Sequence, residues 1–270
     1  MKKFLLAIPA RLSSKRLPNK ILVDIEGKPM LEHVLEKCSL VRRELEIVVC
    51  TDSNQVVKLC KNLGYKCLLT SEKCNSGTER IASVVNKLIE ISWKIKVDSL
   101  EINKFQEYID STVIINVQGD QPLLNPNIIE KMIDNFLANS ESIDIMTPIY
   151  KLKDEDIHNP NIVKTLITND DRVIYFSRSP LPFVRDVPKK NWNQFCDYWG
   201  HVGIYGFNAK ILKNWFDLPF SKLENLEKLE QLKLLEAGKN FFIFKIEENS
   251  ISVDTFEELD LVRKLFRENN

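Results

Sequence analysis

The chain has 270 residues, 44% of them hydrophobic, and 38 basic side chains against 38 acidic ones. That length builds one large core or two joined lobes, and a formal net charge of zero excludes a general nucleic-acid-binding surface, which needs a basic surplus. No apolar stretch reaches the roughly 20 residues of a membrane span, and six cysteines without C-x-x-C pairs read as free thiols of a reducing compartment.

The first apolar run, Phe4 to Ile8, has the length of a buried strand and ends at Pro9-Ala10-Arg11, too early for a secretory core. The expected location is therefore cytoplasmic. The eleven residues from Ala10 to Lys20 carry Arg11, Lys15, Arg16 and Lys20 and no acid. A loop at the carboxyl end of a buried strand is where open α/β sheets bind ligands, and this much positive charge is balanced by a polyanion such as a nucleoside triphosphate. An ordinary solvated basic loop is the plain alternative.

Further strands are expected at Glu46–Asp52, Tyr65–Thr70, Ser111–Val117 and Ile143–Pro148. Ile81, Val84, Val85 and Leu88 mark one face of a helix, and Asn125-Pro126 opens another that holds Ile129, Met132, Ile133 and Phe136. This alternation implies an α/β fold with a mostly parallel sheet covered on both faces. Residues 92–110 read as a surface excursion.

The pattern changes after about residue 150. Asn161–Thr168 and Arg172–Ser177 read as a hairpin around Asn169-Asp170-Asp171, and Pro180–Tyr198 is polar, spotted with aromatics and without clear period. A strand at His201–Phe207, a helix over Leu223–Ala237, a strand at Phe241–Ile246 and a last helix follow, the last opened by the capping-box spacing of Thr255 and Glu258. The expected organisation is one lobe from 1–150 and 240–270, interrupted by a smaller region at 151–239.

Two further segments carry chemistry. Ser76-Gly77-Thr78-Glu79-Arg80 opens a helix, where free N–H groups suit an anion and where simple capping is the equal alternative. Asn116-Val117-Gln118-Gly119-Asp120-Gln121-Pro122 ends a strand with an acid placed to hold Mg²⁺ against a triphosphate, or merely to make a turn. Asp254 by itself reads as an acid flanking a helix. No P-loop or G-x-G-x-x-G occurs, which removes support for an ATPase or a dinucleotide dehydrogenase.

Ala10–Lys20, the short strand Leu22–Ile25, Gly27-Lys28-Pro29-Met30, Ser76–Arg80, Asn116–Pro122, Tyr175–Pro180, His201–Tyr205, Leu229–Leu232 and Val253–Leu259 occur in the order of the motifs of one family. The sequence resembles the 3-deoxy-manno-octulosonate (Kdo) cytidylyltransferases over about Phe4 to Phe266. The resemblance implies a Rossmann-like nucleotidyltransferase sheet with a smaller α+β insertion used for dimerisation. It implies transfer of CMP from CTP to the anomeric hydroxyl of Kdo, a 3-deoxy-2-ulosonic acid, with Mg²⁺ as cofactor and lipopolysaccharide assembly as the destination. Catalytic roles fall on Arg11, Lys20, Asp120 and Asp254, with both acids as metal ligands. Nucleotide contacts fall on Ala10, Arg11, Arg16, Lys20, Ser76, Gly77, Thr78, Arg80, Gln118 and Asp120. Sugar contacts fall on Gln118, Arg178, His201, Tyr205, Glu230 and Gln231, with Arg178 as a bidentate partner of the sugar's carboxylate. No nucleic-acid or membrane partner is expected, and the chain is expected to be a homodimer. The sequence departs from the family pattern at Asn19 for Gly, Gln121 for Glu and Phe256 for Pro. A cytidylyltransferase for a relative such as 8-amino-3,8-dideoxy-manno-octulosonate, and a non-catalytic nucleotide-binding regulator, are the alternatives.

Overall fold

The computed structural model describes residues 2–14, 16–97, 100–139, 143–247 and 251–268. Lys15, one of the four loop cations, lies outside them. The strands in chain order are β1 (Lys3–Ala10), β2 (Asp24–Ile25), β3 (Lys28–Pro29), β4 (Glu46–Thr51), β5 (Lys66–Leu69), β6 (Thr112–Asn116), β7 (Ile145–Lys151), β8 (Lys164–Ile167), β9 (Val173–Ser177), β10 (Trp199–His201), β11 (Tyr205–Asn208) and β12 (Phe241–Ile246). The chain forms two compact units. The first is Met1–Leu137, Gly206–Trp215 and Ser250–Asn270; the second is Ala138–Tyr205 and Phe216–Asn249.

In the first unit the order β5-β4-β1-β6 is parallel throughout, with Leu5 opposite Glu46 and Lys3 opposite Thr112. Parallel sheets are covered on both faces, which is why β1 and β6 read as unbroken apolar runs: all of Leu5, Leu6, Ile8, Val113, Ile114 and Ile115 are buried. Helices Met30–Ser39, Asn54–Asn62, Gly77–Ala82 and Pro126–Ala138 supply the covering layers. The short strand that the resemblance implies at Leu22–Ile25 is confined to Asp24–Ile25, because Lys20–Leu22 is a single 3₁₀ turn. Residues 92–110 are more than an excursion: Ile102–Asp110 is a helix whose Ile109 is buried, and Trp93 Nε1 donates to Thr112 Oγ1 at 2.8 Å.

In the second unit the order is β12-β7-β10-β8-β9. β12 runs parallel to β7, and the remaining pairs are antiparallel. This corrects the expected division of the chain. Residues 145–150 and 241–246 were expected in the nucleotide lobe, but Phe241 to Ile246 pair with Ile145 to Tyr150, and so both strands belong to the second unit. The hairpin at Asn169-Asp170-Asp171 forms, with Asp171 in the left-handed region at φ 57°. The non-periodic 180–198 segment folds around a small core of Leu152, Ile157, Trp192 and Tyr198. The one helix expected through Ile81, Val84, Val85 and Leu88 is split into Gly77–Ala82 and Val85–Trp93, with Val84 non-helical between them. Two expected elements of the second unit are also interrupted. The helix over 223–237 is split into Lys222–Glu227 and Gln231–Glu236, with Lys228 at φ 55° between them. The strand over 201–207 breaks after His201, where Thr147 Oγ1 meets the carbonyls of Val202 and Ile204 at 3.1 and 2.9 Å. Among the described residues, no helix is long and apolar enough to cross a membrane.

Candidate active site

β1 ends in the basic loop, and the loop's last cation is set by backbone geometry. Asn19 adopts φ 53°, ψ 31°, a left-handed conformation in which Asn is among the least strained non-glycine residues. Leu22 N then donates to Asn19 O at 2.8 Å, closing the turn that starts at Lys20. Lys20 Nζ lies 2.6 Å from Asp120 Oδ2 and 2.8 Å from Asp254 Oδ1. Arg16 Nη2 reaches the other oxygen of Asp254 at 2.8 Å. Burial alone lowers the pKa of Lys20, but the two carboxylates outweigh it and raise the net value. Burial likewise raises that of Asp254, yet Lys20 and then Arg16 bring it below the usual carboxylate range.

Asp254 is itself held from both sides. The expected capping box forms: Glu258 Oε2 accepts from Asp254 N at 2.6 Å and Thr255 N at 2.9 Å, while Glu258 N donates to Thr255 Oγ1 at 3.3 Å. Val253 N donates to Asp120 O at 2.9 Å, which ties the segment before Asp254 to the turn after β6. Residues far apart in sequence therefore share one small region.

Arg11, Lys20, Gly77, Arg80, Gln118 and Asp120 line a common cavity of about 70 Å³. Gly77 lets the helix start approach closely there: a Cβ would stand 3.0 Å from Pro9 Cγ and 3.1 Å from Gln118 Oε1, so both side chains would have to shift. Other members of the expected nucleotide set have internal tasks. Ser76 caps its helix, its Oγ accepting from Glu79 N at 3.1 Å. Thr78 is buried and accepts from Asn116 Nδ2 at 3.2 Å, while Gln118 Nε2 donates to Asn116 Oδ1 at 3.0 Å. Arg80, expected on phosphate, is 2% exposed; it pairs with Asp52 at 2.7 Å and donates to Thr70 Oγ1 at 2.5 Å. Asp52 also accepts from Leu12 N at 3.3 Å, so Arg80 steadies the basic loop through Asp52. Asp52 and Asn116 were not singled out from sequence. The signal was available, since each is a polar residue at the carboxyl end of an apolar strand run.

The expected sugar residues of the second unit divide in two. His201 Nε2 lies 3.0 Å from Thr147 Oγ1, and its ring packs on Phe176 and Tyr205. The same Thr147 hydroxyl also lies 3.1 and 2.9 Å from the carbonyls of Val202 and Ile204, so one side chain ties the imidazole to the backbone beside it. Although the residue retains some accessible surface, its imidazole is desolvated, which lowers its pKa to about 3. Tyr205 is buried, and burial, followed by the charge of Glu230, raises its pKa well above the ordinary value. Gln231 is buried beside Glu230 in sequence. Arg178 Nε donates to Glu227 O at 2.8 Å and Nη1 to Pro160 O at 3.0 Å, so part of its guanidinium is engaged with backbone.

Comparison with known proteins places these observations. A family model described as "Cytidylyltransferase" matches residues 5–97 and 98–241. A protein named 3-deoxy-manno-octulosonate cytidylyltransferase from Haemophilus influenzae is 39% identical over 270 residues, covering 96% of this chain and 97% of its own. One of the same name from Thermodesulfovibrio yellowstonii is 36% identical over 257 residues, covering 95% of both. The solved structure of CMP:2-keto-3-deoxy-manno-octonic acid synthetase complexed with CTP superposes with a TM-score of 0.83 at 32% identity, covering 100% of each chain. The chain belongs to the 3-deoxy-manno-octulosonate cytidylyltransferase family.

Of the three departures from the Kdo cytidylyltransferase pattern, Asn19 and Phe256 are absorbed locally and Gln121 leaves one polar atom unmet. Asn19 takes the left-handed backbone that glycine would take. Gln121 is buried directly after the partly buried Asp120, where a neutral amide adds no second negative charge; its Oε1 has no hydrogen-bond partner among the described residues. Phe256 starts the helix Phe256–Glu268 with an exposed side chain, and the cap is supplied by Thr255 and Glu258.

Mg²⁺ fits the donor set. Asp120 and Asp254 already hold one cation, the ammonium of Lys20, between them. Among the described residues no third acidic, His or Cys side chain joins a cluster of metal-binding form. Few carboxylates, completed by phosphate oxygens and water, are what Mg²⁺ takes in nucleotide sites.

Proposed function

We propose that the chain transfers CMP from CTP to the anomeric hydroxyl of Kdo and releases pyrophosphate. The observation that carries this reading is the convergence of Lys20 and Arg16 with Asp120 and Asp254, in a chain whose relatives bear that activity in their names. The hydroxyl attacks the α-phosphorus, the bond to the oxygen bridging to the β-phosphorus breaks, and the hydroxyl proton is lost as pyrophosphate leaves. No covalent enzyme intermediate is required. Arg11, Arg16 and Lys20 lower the charge repulsion against the attacking oxygen by pairing with phosphate oxygens. Asp120 and Asp254 hold Mg²⁺, which when bound supplies Lewis-acid polarisation of the α-phosphate.

Ala10, Gly77 and Gln118 bring backbone and amide groups to the nucleotide. Ser76 and Thr78 shape the same loop through its cap and its buried hydroxyl. His201, Tyr205, Glu230 and Gln231 bind Kdo hydroxyls. Arg178 pairs with the sugar's carboxylate through its charge and its remaining N–H donors. We place the enzyme in the cytoplasm, as a homodimer feeding lipopolysaccharide assembly.

Pyrophosphate release across CTP, ATP and GTP, each with Kdo and its 8-amino analogue, tests the reading. Rates far higher with CTP and Kdo are expected; equal rates with all three nucleotides would refute it.

A further inference from the structure

Two carboxylates and two cations balance one another in the first unit. Lys20 Nζ bridges Asp120 and Asp254 at 2.6 and 2.8 Å, and Arg16 takes the remaining oxygen of Asp254 at 2.8 Å. The side chain of Lys20 is 13% exposed while that of Arg16 is 65% exposed, so only the arginine has water as an easy alternative partner.

We propose that Lys20 is the resident cation of the Asp120–Asp254 pair in the free protein, and that it keeps divalent ions out until a nucleoside triphosphate accepts its ammonium. The inference rests on the reading of these two acids as metal ligands. A divalent ion on the carboxylate oxygens that the ammonium contacts would lie close to that ammonium, and the repulsion between the two cations in a partly desolvated site makes joint occupancy unfavourable. Entry of the ion alone would leave a buried, unpaired ammonium beside a doubly charged neighbour, which is costly. A triphosphate removes that obstacle, because its oxygens accept Lys20 and Arg16 as they leave the carboxylates. The backbone of Lys20 stays fixed by the left-handed Asn19 and the 3₁₀ turn, and its flexible side chain makes the exchange. Nucleotide and metal then bind with positive coupling, and by linkage each tightens the other to the same degree.

The test is a titration with Mn²⁺ alone, free ion being read by electron paramagnetic resonance, on the wild-type protein, Lys20→Met and Lys20→Met/Asp254→Asn. Lys20→Met is expected to bind Mn²⁺ more tightly than wild type by on the order of tenfold or more, the range of ordinary coupling energies. Adding Asp254→Asn should remove the gain. Mn²⁺ should also raise the melting temperature of Lys20→Met and leave that of wild type unchanged. Should the facing carboxylates prevent Lys20→Met from folding without metal, recovery of its native circular dichroism on adding Mn²⁺ supports the exchange. Lys20→Gln, which keeps hydrogen-bond donors, serves as a second variant. Equal Mn²⁺ affinity in wild type and both lysine variants, or a gain that survives Asp254→Asn, would overturn the proposal. No nucleotide and no turnover enter the titration, so its failure is distinct from failure of the transferase reading.

Discussion

Lys20, Asp120 and Asp254 form a unit, and their substitutions should behave as one. Asp120→Asn and Asp254→Asn are each expected to cut turnover by on the order of 10²–10³-fold, the usual loss when one stabiliser of transition-state charge is removed. The double variant should lose far less than the product, because groups acting together are non-additive. Steady-state kinetics on folded protein checks both statements; full activity in Asp254→Asn would return that residue to a helix-flanking role. Arg80 leads to a different expectation. Its partner Asp52 is nearly buried, so Arg80→Met leaves an uncompensated charge and should cost about 3–5 kcal/mol in urea unfolding. His201 gives a pH signature. Its folded pKa, lowered to about 3, lies below the unfolded value of 6.5, so the unfolded chain binds the extra proton between these limits. Stability contributed by neutral His201 is present above pH 6.5 and is lost as pH falls from 6.5 toward 3. His201→Gln should flatten that part of the stability profile, and an unchanged slope would show the ring is not desolvated. These residues differ in how well sequence exposes them. The loop cations and Asp120 stand out by type and place, whereas Asp254 is picked out only by the family motif around it. The engagement of Arg80 with Asp52 and of Arg178 with two carbonyls depends on partners that no spacing rule connects.

The helix Phe256–Glu268 links local chemistry to the site. Its capping box uses Glu258 to hold the backbone of both Asp254 and Thr255. Glu258→Ala should therefore cost about 1 kcal/mol of stability, as cap losses do, and also lower turnover by loosening Asp254. Asp260→Ala, which removes only an exposed ion pair with Arg263, should change neither measurably. Equal effects of the two would separate the cap from the chemistry. This box was legible because its signal is four residues long. The breaks at Lys228 and after His201 were not. A helix period runs through Leu223–Ala237 and an apolar run through His201–Phe207, while the interruptions are fixed by a left-handed lysine and by the reach of Thr147 from another strand.

Strand content and the parallel order of the first unit were readable from alternating apolar runs, since buried parallel strands are apolar on both faces. The unit boundaries were not readable, because β12 and β7 are parallel partners that only tertiary pairing reveals. The second unit exposes Phe183 and Phe220 at 70% and 81%, apolar surface that fits the proposed homodimer. Light scattering at micromolar concentration should give twice the mass of the chain, and a monomer would contradict that assignment. The most direct measurement is of the products themselves, by ³¹P nuclear magnetic resonance of CTP, Kdo, Mg²⁺ and enzyme. One CMP–Kdo phosphodiester should form for each pyrophosphate, with neither appearing when Kdo is omitted. Pyrophosphate accumulating without Kdo, or with no sugar phosphodiester beside it, would contradict the transfer of CMP to Kdo.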